Sequence, residues 1–525
     1  MKRRVLALMV VFVLMASVLS GCGASSTSGQ SEVQAPAASE QPQEVKEQKL
    51  TYVSMTDAVG VSPILTNDSA SSNVLRSIYE TLFMKDPATG EVKPLLAESF
   101  TNPDVNTWII ALKKDIKFQD GTPFTSEAVK YTFEKILDPK TASPRASLLK
   151  SVDTIETPDE YTVVLHTREP YGIMLTALAH DNLSIVNPAA DKAGDINRNA
   201  ANAGTGPYIF KEWVSGDHIE LVKNENYWQG VPKFDSIIYK VVPEMATAVT
   251  MVENGEADFM VNVPPEHLDR LKSNSDITVT QLQGNPTRYI GFNFEKKPFN
   301  DIKVRQAISY AVDRDSYIGT LNGLAYKSRG IIGPRLIGYN EEIEGHGYDY
   351  DIAKAKQLLS EAGFPNGFNT TLTVGNTDIY MKMAPFIQAQ LKEIGINVEL
   401  NVIDWASFLA YIKSGKQDLY LNGWSNVTGD GEELLYPMFY SKNIDASNYA
   451  RYNKPDMDEL ILKTRVTVDQ AERVGYLREA NIKFTDDAAW VPMFHESVVL
   501  AARKNIKDIA FEANGEFRLT NAYRE

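Results

Sequence analysis

Any chemistry in this chain would have to come from six histidines, one cysteine and scattered acid pairs. His166, His180, His218, His267, His346 and His495 lie far apart, and HESVV at 495 lacks the second histidine of a zinc-protease helix. Each reads as a surface or satisfied core residue. No G-x-S-x-G places a serine on a strand-to-helix turn, and no P-loop occurs. GTGPYI at 204–209 has two glycines of a dinucleotide fingerprint, but Ile209 stands where the third belongs, so a turn is the better reading. Glu432 and Glu433 are neighbours on a polar loop, where acids are expected to be solvated; glycoside cleavage needs two carboxylates facing each other across a bond. No catalytic residue, cofactor or metal ligand is assigned on these grounds. The segment that concentrates unusual residues is NGWSNVTGDGEE at 422–433, where the strand-like run DLYL gives way to Trp424, small polar residues, glycines and acids.

The elements that would hold such a segment alternate between short strands and amphipathic helices, with no repeat period. TWIIALKKDIKF at 107–118 and YTVVLHT at 161–167 alternate like half-buried strands. Thr125 or Ser126 is placed to cap a helix carrying Val129, Phe133, Ile136 and Leu137 on one face; Val304, Ile308, Ala311 and Val312 form a second stripe. Asp351 opens a helix through Leu358 and Leu359 that Gly363 stops, and Ile387, Leu391 and Ile394 precede Gly395 and a strand, the helix-to-strand unit of an α/β lobe. Two stretches rich in turn residues, 203–210 and 282–294, look like crossings between lobes.

With 525 residues, the chain is long enough for several cores. Its first residues, Lys2, Arg3 and Arg4, then an apolar run from Val5 to Leu19 and small residues before Cys22, have the order of a signal peptide over 1–21. Residues 22–45 are Ser-, Ala-, Gln- and Pro-rich and read as a disordered tether. Cys22 is the only cysteine, so no internal disulfide can form. The formal charge of −15 argues against a nucleic-acid partner, and removal of the three leader cations makes it more negative.

Several ordered segments carry a resemblance that spans nearly all of residues 50–520: IYETLFMKDPATGEVKPLLAESF at 78, DIKFQDGTPFTSEAVKYTFEKILDP at 115, GTGPYIFKEW at 204, LVKNENYWQGVPKFDSI at 221, GEADF at 255, PFNDIKVRQAISYAVDR at 298 and AKQLLSEAGFPNGF at 355. Together they resemble the solute-binding proteins of peptide and nickel ABC importers, family 5, in a pattern similar to glutathione- and dipeptide-binding lipoproteins. The resemblance implies an α/β flytrap of two lobes with an inserted extra domain. The N-terminal lobe would comprise 46–78, 200–282 and 489–525, the extra domain 79–199 and the C-terminal lobe 283–488. Leu19-Ser20-Gly21-Cys22 resembles a bacterial lipobox, which implies lipidation of Cys22 and attachment to the outer face of the membrane, and the family resemblance implies an ABC permease as partner and a monomeric receptor.

Family members holding a peptide amine place an Asp three residues after the Trp of the GW pair. Val427 stands there in this chain, and GWSNVTGD is closer to the GWS-x-x-TG of glutathione-type members. The resemblance therefore implies a short-peptide or glutathione ligand, with Trp424 as a wall, Ser425, Asn426 and Thr428 as hydrogen-bonding groups, Gly429 in the turn and Asp430 as the amine partner. Trp405 would face the cleft, Arg145, Arg288 and Arg335 are candidates for the ligand carboxylate, and Ser69, Ser71 and Asn73 would line the opposite lobe. A nickel chelate or other non-peptide solute is the alternative within the fold. A lipoprotein hydrolase is the alternative outside it.

Overall fold

The computed structural model describes residues 47–525 except 88, 89, 328 and 427. The leader, Cys22, the tether and Val427 thus lie outside the described residues. Local signals account for many element ends. Asp351 accepts a hydrogen bond from the Lys354 amide at 2.8 Å and starts the helix Ile352–Glu361; Asp301 does the same for Lys303 ahead of Ile302–Ala311. The helix Ser126–Leu137 differs from expectation. Thr125 makes no side-chain cap, and the Ser126 hydroxyl donates across to the Asp159 carbonyl at 2.7 Å, so tertiary contact replaces capping.

The strands Asn369–Gly375 and Asn397–Ile403 are parallel neighbours, joined over the helix Asp378–Lys392 whose Ile387 and Leu391 are buried. They form one edge of an eleven-stranded sheet. Next come Leu419–Trp424, then two long strands, Ile277–Phe292 and Trp490–Arg503, then Phe259–Val261, Lys49–Ser54, Ser236–Val241, His218–Lys223 and the edge strand Tyr208–Val214; the short eleventh strand, Ala325–Tyr326, pairs with Trp490–Arg503 off this path. A separate four-stranded antiparallel sheet, with Ala97–Asp104, Thr107–Leu112, Thr162–Thr167 and Val152–Asp159 in that order, packs into the same core as the N-terminal part of the large sheet.

The two long strands divide the molecule. They pair antiparallel from Ile277 opposite Arg503 to Gly291 opposite Trp490, with register shifts between Gln283 and Thr287 and between Arg288 and Tyr289. On one side of the shift, Val498, Leu500 and Ala502 enter a core with Leu50, Phe83, Trp108, Leu221 and Phe259; on the other, Ile290, Val491 and Met493 enter a core with Leu359, Leu372 and Leu421. Two lobes are therefore joined through a two-stranded ribbon.

The expected crossing at 282–294 overlaps the first of these strands. The one expected at 203–210 is not a crossing: Gly204 and Gly206 lie against the Ile78 backbone, so close that a Cβ at Gly204 would fall 2.0 Å from the Ile78 carbonyl oxygen, and the segment leads into the edge strand. The second crossing is Trp490–Arg503. Its run of apolar residues reads as an ordinary buried strand, so nothing in its composition marks it.

Candidate functional site

The strand Leu419–Trp424 ends beside the first crossing strand, with Trp424 opposite Thr287. From there the chain folds on its own side chains. Asn426 Nδ2 donates to the Asp430 carbonyl at 2.6 Å and Asn426 Oδ1 accepts from the Gly429 amide at 2.7 Å, while Gly429 takes a φ of +72°. Thr428 donates to Glu433 Oε2 twice, from its amide at 2.7 Å and its hydroxyl at 2.6 Å. Asn426 and Thr428, expected as ligand hydrogen-bonding groups, have these groups engaged within the loop. Ser425 is exposed, and Trp424 is half-buried against the C-terminal core with its indole N–H buried and unpartnered among the described residues.

Asp430 is not the free carboxylate that an amine would need. Arg473 holds both its oxygens, Nη1 to Oδ2 at 2.8 Å and Nη2 to Oδ1 at 2.7 Å, and the Glu432 amide donates to Oδ1 at 2.9 Å. Both partners are almost completely buried. Glu432 and Glu433 also depart from the solvated pair expected: Glu432 is buried in an ion pair with Arg465, and burial pushes both carboxyls above the usual range, against Arg465 for Glu432 and the Thr428 donors for Glu433.

Three adjoining cavities lie near this loop, which lines the second and third of them. The first lies at the start of the helix Ser69–Ile78 and is lined by Ser69, Arg76, Lys85, Arg145 and His180. The second shares Lys85 with it and adds Arg335, Asn285 and Gly429; the third shares Arg145 and adds Thr428, Glu433 and Tyr436. Residues from both sides of the ribbon meet here. A Cβ on Gly429 would stand 3.4 Å from Lys85 Nζ.

Of the candidate arginines, Arg145 and Arg335 line these cavities. Among the described residues, Arg145 keeps a buried Nε with no hydrogen-bond partner and no ion pair, and Arg335 donates only a long 3.4 Å bond to the Pro87 carbonyl. Arg288 is committed elsewhere: Nε pairs with Glu496 at 2.6 Å and Nη1 donates to the Tyr380 hydroxyl at 3.2 Å. Trp405 belongs to that group, stacked 6.0 Å from Tyr380 at 10° and 5.3 Å from Phe408, and stays 38% exposed. On the opposite lobe, Ser69 lines the first cavity, whereas Ser71 accepts the Val59 amide and Asn73 accepts the Phe517 amide, both buried. These last two fix the helix and do not line the cavity.

Several residues here carry no sequence signal. Arg76 pairs with Asp181 at 2.7 Å, with Glu512 at 2.8 Å and with Glu516, while Arg518 reaches Asp181 and Glu512. Two guanidinium groups thus serve three carboxylates. Burial pushes Glu516 up to about 7, with Asp181 and Glu512 adding to it and Arg76 opposing. Burial also lowers the Lys85 ammonium, and it drives His180 down to about 3, so the imidazole is neutral and its Nδ1 accepts from the Asn182 amide.

His495, on the second crossing strand, behaves similarly. It stacks on Tyr326 at 5.3 Å, and burial lowers it to about 4. The unfolded chain takes up this proton first, so the contribution is present above about pH 6.5 and is lost as pH falls towards 4. That loss is about 3 kcal/mol. Glu516 acts with the opposite sign, so the comparison needed is between wild type and His495→Gln. Denaturant unfolding from pH 7 to 4 should show the stability gap between them closing on the acid side; a gap independent of pH would contradict the assignment.

Residues 91–446 match the family described as bacterial extracellular solute-binding proteins, family 5. The chain belongs to that family. The glutathione-binding protein GsiB of Escherichia coli (strain K12) is 32% identical over 457 residues, covering 85% of this chain and 88% of that protein. Among solved structures, HbpA2 from Haemophilus parasuis superposes with a TM-score of 0.85 at 24% identity, covering 91% of this chain and 100% of that one. The DppA protein from Helicobacter pylori in complex with the peptide STSA gives 0.71 at 27% identity, covering 91% and 98%. The two-lobed α/β architecture with its additional layer is thus the fold of family 5 binding proteins. No helix among the described residues is long and apolar enough to cross a membrane.

Proposed function

We propose that this family 5 protein is an exported receptor that captures a short peptide, glutathione or a di- or oligopeptide, between its lobes and delivers it to the permease of an ABC importer. The observation that carries this reading is the set of adjoining cavities lined by Arg145, Lys85 and Arg335, with Glu433 sharing one of them with Arg145. A peptide brings at least one carboxylate and one ammonium, and burial of either is costly unless an opposite charge receives it. Arg145 and Arg335 supply the carboxylate side. Glu433 takes the place that Asp430 was expected to hold, as the amine partner.

The similarity to GsiB and to the peptide-bound DppA supports a peptide ligand. In this reading the protein binds without transforming its ligand, needs no cofactor, and acts as a monomer tethered through lipid on Cys22. Its N-terminal lobe is 46–78, 200–282 and 489–525, with 79–199 inserted and 283–488 forming the C-terminal lobe. Ligand touching both lobes favours the closed form by its differential affinity.

Thermal unfolding with glutathione, di- to pentapeptides and nickel with histidine tests the reading. A true ligand at 100 times its Kd should stabilise the folded state by about 2.7 kcal/mol. A shift with a metal chelate and none with any peptide would overturn the peptide assignment, and turnover of a peptide would overturn the binding-only role.

A further inference from the structure

The hairpin at the free edge of the large sheet gathers three side chains that the linear spacing of the histidines hides. The edge strand Tyr208–Val214 pairs antiparallel with His218–Lys223, so that Glu212 stands opposite Glu220 and Val214 opposite His218. Because side chains alternate along a strand, Glu212, His218 and Glu220 share one face. A register shift between Phe210 and Glu212 leaves Lys211 as an extra residue, the local geometry of a bulge, and Lys211 Nζ then lies 3.0 Å from Glu220.

We propose that Glu212, His218 and Glu220 form a binding site for a divalent transition-metal ion of the zinc type, separate from the ligand cavities. One ligand atom from each lies within 4.8 Å of the other two. His218 Nε2 and Glu212 Oε1 are 3.6 Å apart, close to the separation of two ligands that each stand about 2.0–2.2 Å from a tetrahedral ion.

The imidazole is also oriented for this role. Its Nδ1 is 2.6 Å from Asp217, which is itself held by Lys240, and its Nε2 faces Glu212. A carboxylate on the far ring nitrogen is the arrangement that fixes tautomer and direction in metal-binding histidines. Imidazole with two carboxylates suits zinc better than the hard cations, which prefer oxygen alone. Three protein ligands leave a fourth position for water. Glu212, Glu220 and Asp217 outnumber Lys211 and Lys240, so the hairpin carries a surplus of negative charge, and Lys211 is the cation a metal would displace.

The purified full-length protein should bind one Zn²⁺ by titration calorimetry, and Co²⁺ should give the visible absorption of a low-symmetry site. His218→Ala should abolish both signals. Asp217→Asn should weaken binding by roughly tenfold or more through loss of ring orientation. Lys211→Met should tighten it by removing the competing ammonium, and His166→Ala should leave it unchanged. Circular dichroism of each variant separates loss of fold from loss of site. Absence of Zn²⁺ binding at about millimolar concentration, or unchanged affinity in a folded His218→Ala protein, would overturn the proposal. Peptide binding in His218→Ala should match wild type, which keeps the two assignments independent.

Discussion

Asp430→Ala is expected to cost about 3–5 kcal/mol of stability, because it strands a buried guanidinium. The side chains of Arg473 and Asp430 are 0% and 2% exposed, and among the described residues Arg473 has only the Thr464 carbonyl besides its two bonds to Asp430. The Asp430 carboxylate also accepts from the Glu432 amide, so its removal loosens the start of the helix Glu432–Phe439. The pair sits where the extra layer meets the C-terminal lobe: the Thr176 hydroxyl is 3.4 Å from Asp430, and a Cβ on Gly172 would fall 2.9 Å from Arg473 Cδ. Denaturant unfolding measures the loss. The double variant Asp430→Ala, Arg473→Met should recover much of it, since replacing both charges removes the uncompensated one. If Asp430→Ala instead kept full stability and selectively lost ligands with a free amine over N-acetylated ones, the carboxylate would be the amine partner after all.

Arg145→Ala should act in the opposite way, on affinity and not on stability. The guanidinium makes no ion pair among the described residues, lines two of the three cavities and keeps a buried Nε without an acceptor. A charged hydrogen bond to a ligand carboxylate is worth about 1.5–3 kcal/mol, so peptide affinity should fall by roughly ten- to a hundredfold. Unfolding free energy should stay within about 0.5 kcal/mol of wild type. Arg145→Lys should restore only part of the affinity, because an ammonium cannot offer the two parallel donors of a guanidinium. Calorimetry with a peptide and its C-terminal amide gives the decisive comparison: wild type should prefer the acid, and Arg145→Ala should lose that preference. An undiminished preference would place the carboxylate elsewhere, with Arg335 next in line.

Elements were legible in the sequence wherever their causes are local. Asp301 and Asp351 cap the helices they precede, and Gly363 and Gly395 take positive φ where helices stop. The strand end and turn within 422–433 were legible too, since a strand end rich in Gly and small polar residues needs a specific turn. Individual roles within it were not. Whether an acid is free depends on cations that the chain brings from elsewhere, and Arg473 arrives from 43 residues downstream of Asp430, just as Glu496 reaches Arg288 from 208 residues away. Lys85 shows the same limit from the other side. It ends the strand Phe83–Lys85, and the cavities beside it are completed by Glu512 and Asn514, which return from far downstream. His218 had no partner in its sequence neighbourhood other than Asp217, because Glu212 becomes adjacent only when the hairpin closes.

The ribbon between the lobes has a mechanical consequence. Two strands bonded along their length resist stretching and shear, since either would break many hydrogen bonds at once, but they bend readily where the ladder is interrupted, between Gln283 and Thr287. Relative motion of the lobes would then reduce to a single soft coordinate, with twist and slide held stiff. A receptor built this way converts whatever it grips into one readable angle, so chemically different ligands would present the same surface to the transport machinery.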